Sequence, residues 1–196
     1  MLDLTKGNRI DLTKGTALTK VKIGLGWDVK AVTNTGLDFD LDAIAAAVTA
    51  DGKVTDNPGF VYFKNTSGLN GAITHSGDNI TGAGVGEDEI ITIDLAAIPA
   101  DKEAVEITIC IFDAVTRNQN FGQVNNAFAR VYNAETNEEL GKIDLTEDYS
   151  SFKSVRVCRI YRHGGEWKLQ VEASGLKTAT DGPFIINDLA ASYGLI

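Results

Sequence analysis

The 196-residue sequence predicts an all-β fold: a β-sandwich of two antiparallel or mixed sheets with a few short helices, built as one domain over residues 1–196. Three observations carry this. Apolar residues recur with period 2 in several short runs, which puts alternate side chains on one face of a strand. Turn residues separate the runs at short, regular spacing, as in sandwiches and barrels. Helical signals are few, and no Pro/Gly/Ser linker divides the chain.

Taken in order, Leu4-Thr5-Lys6-Gly7 recurs as Leu12-Thr13-Lys14-Gly15, which predicts two similar strand ends, each closed by a glycine turn. Val21, Ile23, Leu25 and Trp27 alternate and share a face. Asp42 to Ala50 is alanine-rich and reads as a short helix or a strand. Phe60-Val61-Tyr62-Phe63 reads as a buried strand, and Ile90 to Leu95 alternates again. Val105, Ile107, Ile109 and Ile111 face inward on a further strand that delivers Asp113 at its end. Ala127 to Asn133, Ser154 to Tyr161 and Glu166 to Ala173 complete the strands, with His163-Gly164-Gly165-Glu166 as a hairpin turn. Asp188 to Tyr193 predicts a short helix ended by Gly194. Trp27 and Trp167 are expected as core anchors. Cys110 and Cys158 are expected as buried, reduced thiols.

The formal net charge is −9. Acid repels phosphate backbones and anionic lipid surfaces, so no nucleic acid is expected as a partner and cations are the natural ones. No apolar run approaches the roughly 20 residues of a membrane span, so no integral membrane segment is expected. The start lacks a basic stretch followed by an apolar one, which predicts a cytoplasmic protein. The distribution of charge says more than its sum. No Lys or Arg occurs from Ala31 through Gly52, where Asp38, Asp40, Asp42 and Asp51 lie. None occurs from Asn65 through Asp101, which holds Asp78, Glu87, Asp88, Glu89, Asp94 and Asp101. Such stretches need a counter-charge, and a divalent cation is the economical one.

Two constellations offer ligands. In Asp38-Phe39-Asp40-Leu41-Asp42, extended backbone puts three carboxylates on one side while Phe39 and Leu41 anchor the core. The row repels itself unless neutralised, and calcium takes 6–8 oxygens in flexible geometry. Ala43 and Thr49 stand where an EF-hand needs Gly and Glu, so this is not that loop. The second is Gly77-Asp78-Asn79-Ile80-Thr81-Gly82-Ala83-Gly84-Val85-Gly86-Glu87-Asp88-Glu89, where carboxylates bracket glycines whose carbonyls can turn toward a point. A solvated acidic loop is the competing reading of both. A phosphate cradle fits poorly, because the Walker lysine is missing and three acids close the loop. His75 reads as a hydrogen-bonding residue rather than a ligand. No Gly-x-Ser-x-Gly or Cys/His signature supports nucleophilic catalysis.

Several blocks together resemble the TerD family: Gly24-Leu25-Gly26-Trp27-Asp28, Asp38-Phe39-Asp40-Leu41-Asp42-Ala43, the Gly77 to Glu89 segment, Phe121-Gly122-Gln123-Val124, Asp144-Leu145-Thr146-Glu147-Asp148, and Tyr161-Arg162-His163-Gly164-Gly165-Glu166-Trp167-Lys168. The likeness runs in order along nearly the whole chain. It implies a β-sandwich with calcium at acidic loops along one edge, and a link to tellurite, chemical-stress or phage resistance in bacteria. The family's acidic loop usually reads Asp-Gly-Asp-Asp-Glu; Val85 and Glu87 depart from it, which weakens one calcium position. The expected metal residues are Asp38, Asp40, Asp42, Asp78, Asn79, Gly82, Gly84, Glu87, Asp88 and Glu89, with Asp28 and Asp113 as weaker candidates at strand ends. The expected role is a non-enzymatic binding or adaptor module for calcium ions, docking on other stress-resistance proteins or a membrane-associated complex. A metal-assisted hydrolase and a cyclic-nucleotide-binding protein are the alternatives.

Overall fold

In the computed structural model, the period-2 runs become strands that pair into two six-stranded sheets. The structure describes residues 2–28, 38–84, 86–146, 149–176 and 185–195. Val85, the Glu147-Asp148 pair and the run from 177 to 183 lie outside them. The strands are β1 (Arg9–Asp11), β2 (Lys20–Asp28), β3 (Leu41–Val48), β4 (Phe60–Val61), β5 (Ser67–Gly68), β6 (Ile73–His75), β7 (Glu89–Asp94), β8 (Ala104–Ile111), β9 (Asn125–Asn133), β10 (Glu139–Asp144), β11 (Ser154–His163) and β12 (Glu166–Gly175). Among the described residues one α-helix, α1 (Ile185–Ser192), follows β12, and short 3-10 turns lie at Asn57–Gly59, Leu69–Gly71 and Phe121–Gln123. One sheet runs β1-β12-β11-β8-β3-β4 and the other β10-β9-β2-β7-β6-β5, with antiparallel pairing of neighbours throughout.

Alternation sets the core between the sheets. Val21, Ile23, Leu25 and Trp27 on β2 are buried, as are Val105, Ile107, Ile109 and Ile111 on β8 and Ile91 and Ile93 on β7. Burying each such side chain contributes roughly 2 kcal/mol. Trp167 and both free cysteines are buried too. The alanine run is strand, not helix. Every residue of β3 is buried and pairs along its length with β8, so tertiary pairing overrides the helical propensity of alanine. Its small side chains let β3 lie close to β7 of the opposite sheet.

The β11–β12 hairpin turns through Gly164 and Gly165, at φ +62° and +85°, the left-handed pair a two-residue hairpin needs. The repeated Leu-Thr-Lys-Gly units each bury their leucine and turn at a left-handed glycine. Between them the chain changes sheets. Leu2 to Leu4 lie along β10, through Leu4 N–H to the Lys142 carbonyl at 2.7 Å and Lys142 N–H to the Leu2 carbonyl at 2.9 Å. β1 then caps the β12 edge of the other sheet.

Three expectations need correction. The Phe60–Phe63 run is strand only at Phe60–Val61; the chain then turns, with Tyr62 and Asn65 bonded to each other, and Phe63 is only half-buried. The helix begins at Ile185, before Asp188. Strand β8 does not carry its alternation to Asp113, which sits in a turn at φ +51°. Strands β5, β6 and β10 carry no clear apolar alternation and were not expected.

Candidate metal centre

The entry to β3 and the β6–β7 loop meet at one edge of the sandwich. Phe39 and Leu41 are buried, as alternation requires, and they fix the strand that carries Asp40 and Asp42. The Trp27 indole N–H donates to the Phe39 carbonyl at 3.1 Å, and Phe112 N–H donates to the Asp40 carbonyl at 2.7 Å. From the loop, Asp78 reaches the same point. One carboxylate oxygen each from Asp40, Asp42 and Asp78 lie within 4.8 Å of one another, and this is the one cluster of three such ligands among the described residues. Asp40 and Asp42 are buried, while Asp78 opens to solvent.

Burial and mutual repulsion dominate the electrostatics. Desolvation, then Glu89, Asp40 and Asp78, push the Asp42 carboxyl up to about 9. Desolvation and Asp78 raise Asp40 to about 6, against the pull of Arg117. Arg117 Nη1 lies 4.0 Å from Asp40 Oδ2, and its Nε lies 3.9 Å from Asp113 Oδ2. Asp40 Oδ1 is buried, with no hydrogen-bond partner among the described residues. The Cys110 thiol points at Asp42 Oδ2 from 3.9 Å, and burial raises its pKa well above the thiol range.

The remaining expected ligands divide. Asp38 is exposed and lies outside the cluster; its carbonyl accepts from Arg117 and Gln119, each at 3.4 Å. Asn79 folds the loop: its Oδ1 accepts from Thr81 and Gly82 N–H, and its Nδ2 donates to Asp88 Oδ1 at 3.0 Å. Asp88 Oδ2 accepts the Trp27 backbone N–H at 3.0 Å, and burial raises its carboxyl, opposed by that bond. Gly82, at φ +66°, lies so close to Trp27 that a Cβ there would sit 2.4 Å from the indole nitrogen. Gly84 and Asp88 border a separate surface hollow of about 620 Å³ with Trp27, Asp28 and Arg130. Asp28 accepts from Asn126 Nδ2 at 2.5 Å.

Glu87 is drawn away from the cluster. Its side chain crosses Gly24, where a Cβ would lie 2.2 Å from Glu87 Cγ, and meets the Tyr132 hydroxyl and Arg130 Nη1, the latter at 3.2 Å. Burial works against its charge, but these two donors leave its pKa lowered overall. Glu89 is fully buried behind the cluster. Its Oε2 accepts Ala43 N–H at 2.7 Å and lies 3.3 Å from His75 Nε2, and its Oε1 accepts Asn79 N–H at 3.3 Å. His75 is a buried hydrogen-bonding residue, bonded to the Ala43 carbonyl at 3.1 Å.

The sequence reading did not foresee Arg117, Arg130 or Tyr132 as partners of these acids. For Arg130 the available signal was its cross-strand pairing with Gly24, whose missing side chain leaves room for Glu87.

Comparison with known proteins identifies the family. The TerD domain model matches residues 1–183. General stress protein 16U of Bacillus subtilis (strain 168) is 43% identical over 195 residues, covering 99% of this chain and 97% of that protein. Tellurium resistance protein TerD of Serratia marcescens is 39% identical over 175 residues, covering 89% and 90%. The crystal structure of a homologue of telluride resistance protein (TerD) from Streptomyces coelicolor A3(2) superposes with a TM-score of 0.68 at 25% identity, covering 82% of this chain and 91% of that one. The chain therefore belongs to the TerD family, whose members carry the names of tellurium-resistance and stress proteins.

Proposed function

We propose that the protein is a calcium-binding module of the bacterial stress response, in which Asp40, Asp42 and Asp78 hold the ion. The observation that carries this reading is the buried Asp40 Oδ1, an oxygen with no hydrogen-bond donor among the described residues, inside a three-carboxylate cluster. Buried carboxylates are normally paired or metal-bound, because an isolated buried charge is costly. The ligand chemistry is all oxygen, with one member open to solvent, which suits a hard cation that takes 6–8 ligands. A bound dication would supply the positive charge that lets all three carboxylates ionise together. Asp38, at the exposed start of the row, would add a further oxygen.

The role is binding rather than catalysis. The thiol beside Asp42 is buried and holds its proton, so it does not offer a nucleophile. The protein acts in the cytoplasm as an adaptor whose acidic edge presents a calcium-shaped surface to other stress-resistance proteins or to a membrane-associated complex. Among the described residues no helix is long and apolar enough to cross a membrane itself. Tellurium oxyanions are repelled by the same acidic edge, so resistance is indirect.

Calorimetric titration of metal-stripped protein tests the site. Calcium should bind with magnesium far weaker, and Asp40→Asn should lower calcium affinity at least about tenfold, because affinity follows ligand charge. Equal affinity in the variant would remove Asp40 from the site. Pull-downs with and without calcium then test the adaptor role.

A further inference from the structure

We infer that His75 and Glu89 are positioning residues of the calcium site, which act by standing in for a missing strand at the open edge of β3. The inference rests on the calcium reading above and adds residues that need not touch the ion.

Strand β4 covers β3 only at Ala45 and Ala46, opposite Val61 and Phe60, before the chain turns away at Tyr62. Nearer the acidic row, no strand among the described residues pairs with this edge of β3. Ala43 is nonetheless buried there, and its N–H and C=O both face that edge. Buried backbone groups must find partners, and here two side chains from the opposite sheet supply them. Glu89 Oε2 takes the Ala43 N–H at 2.7 Å, and His75 Nε2 meets the Ala43 carbonyl at 3.1 Å. One acceptor and one donor reproduce what a paired residue of a neighbouring strand would offer.

The tautomer follows from the partners. Gly77 N–H donates to His75 Nδ1 at 3.0 Å, so Nδ1 accepts and the ring proton sits on Nε2. That proton faces the Ala43 carbonyl and Glu89 Oε2, the latter at 3.3 Å. Both side chains are fully excluded from solvent. They come from adjacent strands: His75 pairs with Ile91, two residues from Glu89 on the same face of β7.

The bonds fall beside the ligands. Ala43 follows Asp42. On the loop, His75 holds the N–H of Gly77 and Glu89 holds that of Asn79, the two residues flanking Asp78. The pair thus fixes the β3 half of the site against its loop half, and holds Asp42 near Asp78 against their repulsion. Every oxygen of Glu89 already accepts from an N–H, and Glu89 stands outside the three-carboxylate cluster. Residues that orient the ligands of a metal site without touching the ion contribute pre-organisation of this kind, and its loss costs about 10–100-fold in metal affinity.

The test uses the full chain, with calcium titrations and amide exchange of the metal-stripped protein by NMR. In Glu89→Ala, the amides of Ala43 and Asn79 should exchange at least about tenfold faster while that of Ala45, paired with β4, stays protected. In His75→Ala, the Gly77 amide should lose protection. Both variants should bind calcium about 10–100-fold more weakly. His75→Gln, which keeps a donor for the Ala43 carbonyl, should recover part of the loss and serves if the alanine variants do not fold. Nitrogen shifts of wild-type His75 should report the Nε2-protonated ring. Wild-type protein that binds calcium, beside variants that bind it equally well, overturns the positioning role alone. Unchanged Ala43 exchange in Glu89→Ala, or an Nδ1-protonated ring, also overturns it. Wild-type protein that binds no calcium overturns the calcium reading and the positioning role together.

Discussion

Replacing Asp42 by asparagine should stabilise the metal-free protein while abolishing its response to calcium. Asp42 is 1% exposed, and its carboxyl is pushed from the ordinary 3.8 up to about 9. At pH 7 the unfolded chain carries this group ionised, and the metal-free fold must take up a proton to bury it. The gap between 3.8 and 7, at about 1.4 kcal/mol per pH unit, puts a ceiling of about 4 kcal/mol on that cost. Asparagine has the same shape and no charge to bury, so the variant recovers part of this sum. For a chain of this size, each 1 kcal/mol raises the melting temperature by about 2–4 °C. Thermal unfolding in chelator, with wild type alongside, reads the gain; calcium added back should then raise wild type and leave Asp42→Asn nearly unmoved. A variant that melts below wild type in chelator would refute the reasoning, because the buried carboxylate would then be an asset without any ion.

Two other predictions follow from the same edge. The metal-free protein should lose stability as pH rises from about 6 to 9, the reverse of ordinary acid denaturation. The Asp42 carboxyl is raised in the fold, so its contribution is fully present below 3.8 and disappears as pH climbs through about 9. Urea unfolding should show a slope of up to about 1.4 kcal/mol per pH unit, flattened by saturating calcium; a flat metal-free profile counts against the raised pKa. Gly82→Ala should cost roughly 2–4 kcal/mol, since it adds left-handed strain to a clash with buried Trp27. Its calcium affinity should fall as the loop shifts, and a variant as stable as wild type would show that the loop does not depend on this close approach.

Much of the sandwich is legible because most strands are half-buried, so one face of each must be apolar. Val21 to Trp27 and Val105 to Ile111 announce themselves by alternation alone. Strand β10 is hidden for the converse reason: Glu139-Leu140-Gly141-Lys142 lies near an edge, with a register shift between Glu139 and Gly141, and carries little apolar pattern. The alanine run left helix and strand open, because alanine suits a helix locally and β3 is settled only by β8 beside it. At the site, the Asp40 and Asp42 pair follows from strand periodicity and Asp78 from the glycine loop. The fates of Glu87 and Glu89 do not. One depends on Arg130 and Tyr132 some forty residues downstream, the other on where β4 stops, and both are facts of topology rather than of spacing.

The crossing of residues 2 to 11 from one sheet to the other has a consequence for how the protein is made. The segment is synthesised well before its partners, Lys142 on β10 and Lys168 to Gln170 on β12. Neither sheet can be finished on the ribosome until β10 and β12 have emerged. The nascent chain must wait with β2 unpaired and β3 held only by the short β4, since β7, β8 and β9 come later. Pairings this distant in sequence fold slowly and leave apolar strands exposed to strangers in the meantime. The chain would therefore make its heaviest demand on chaperones during its own synthesis.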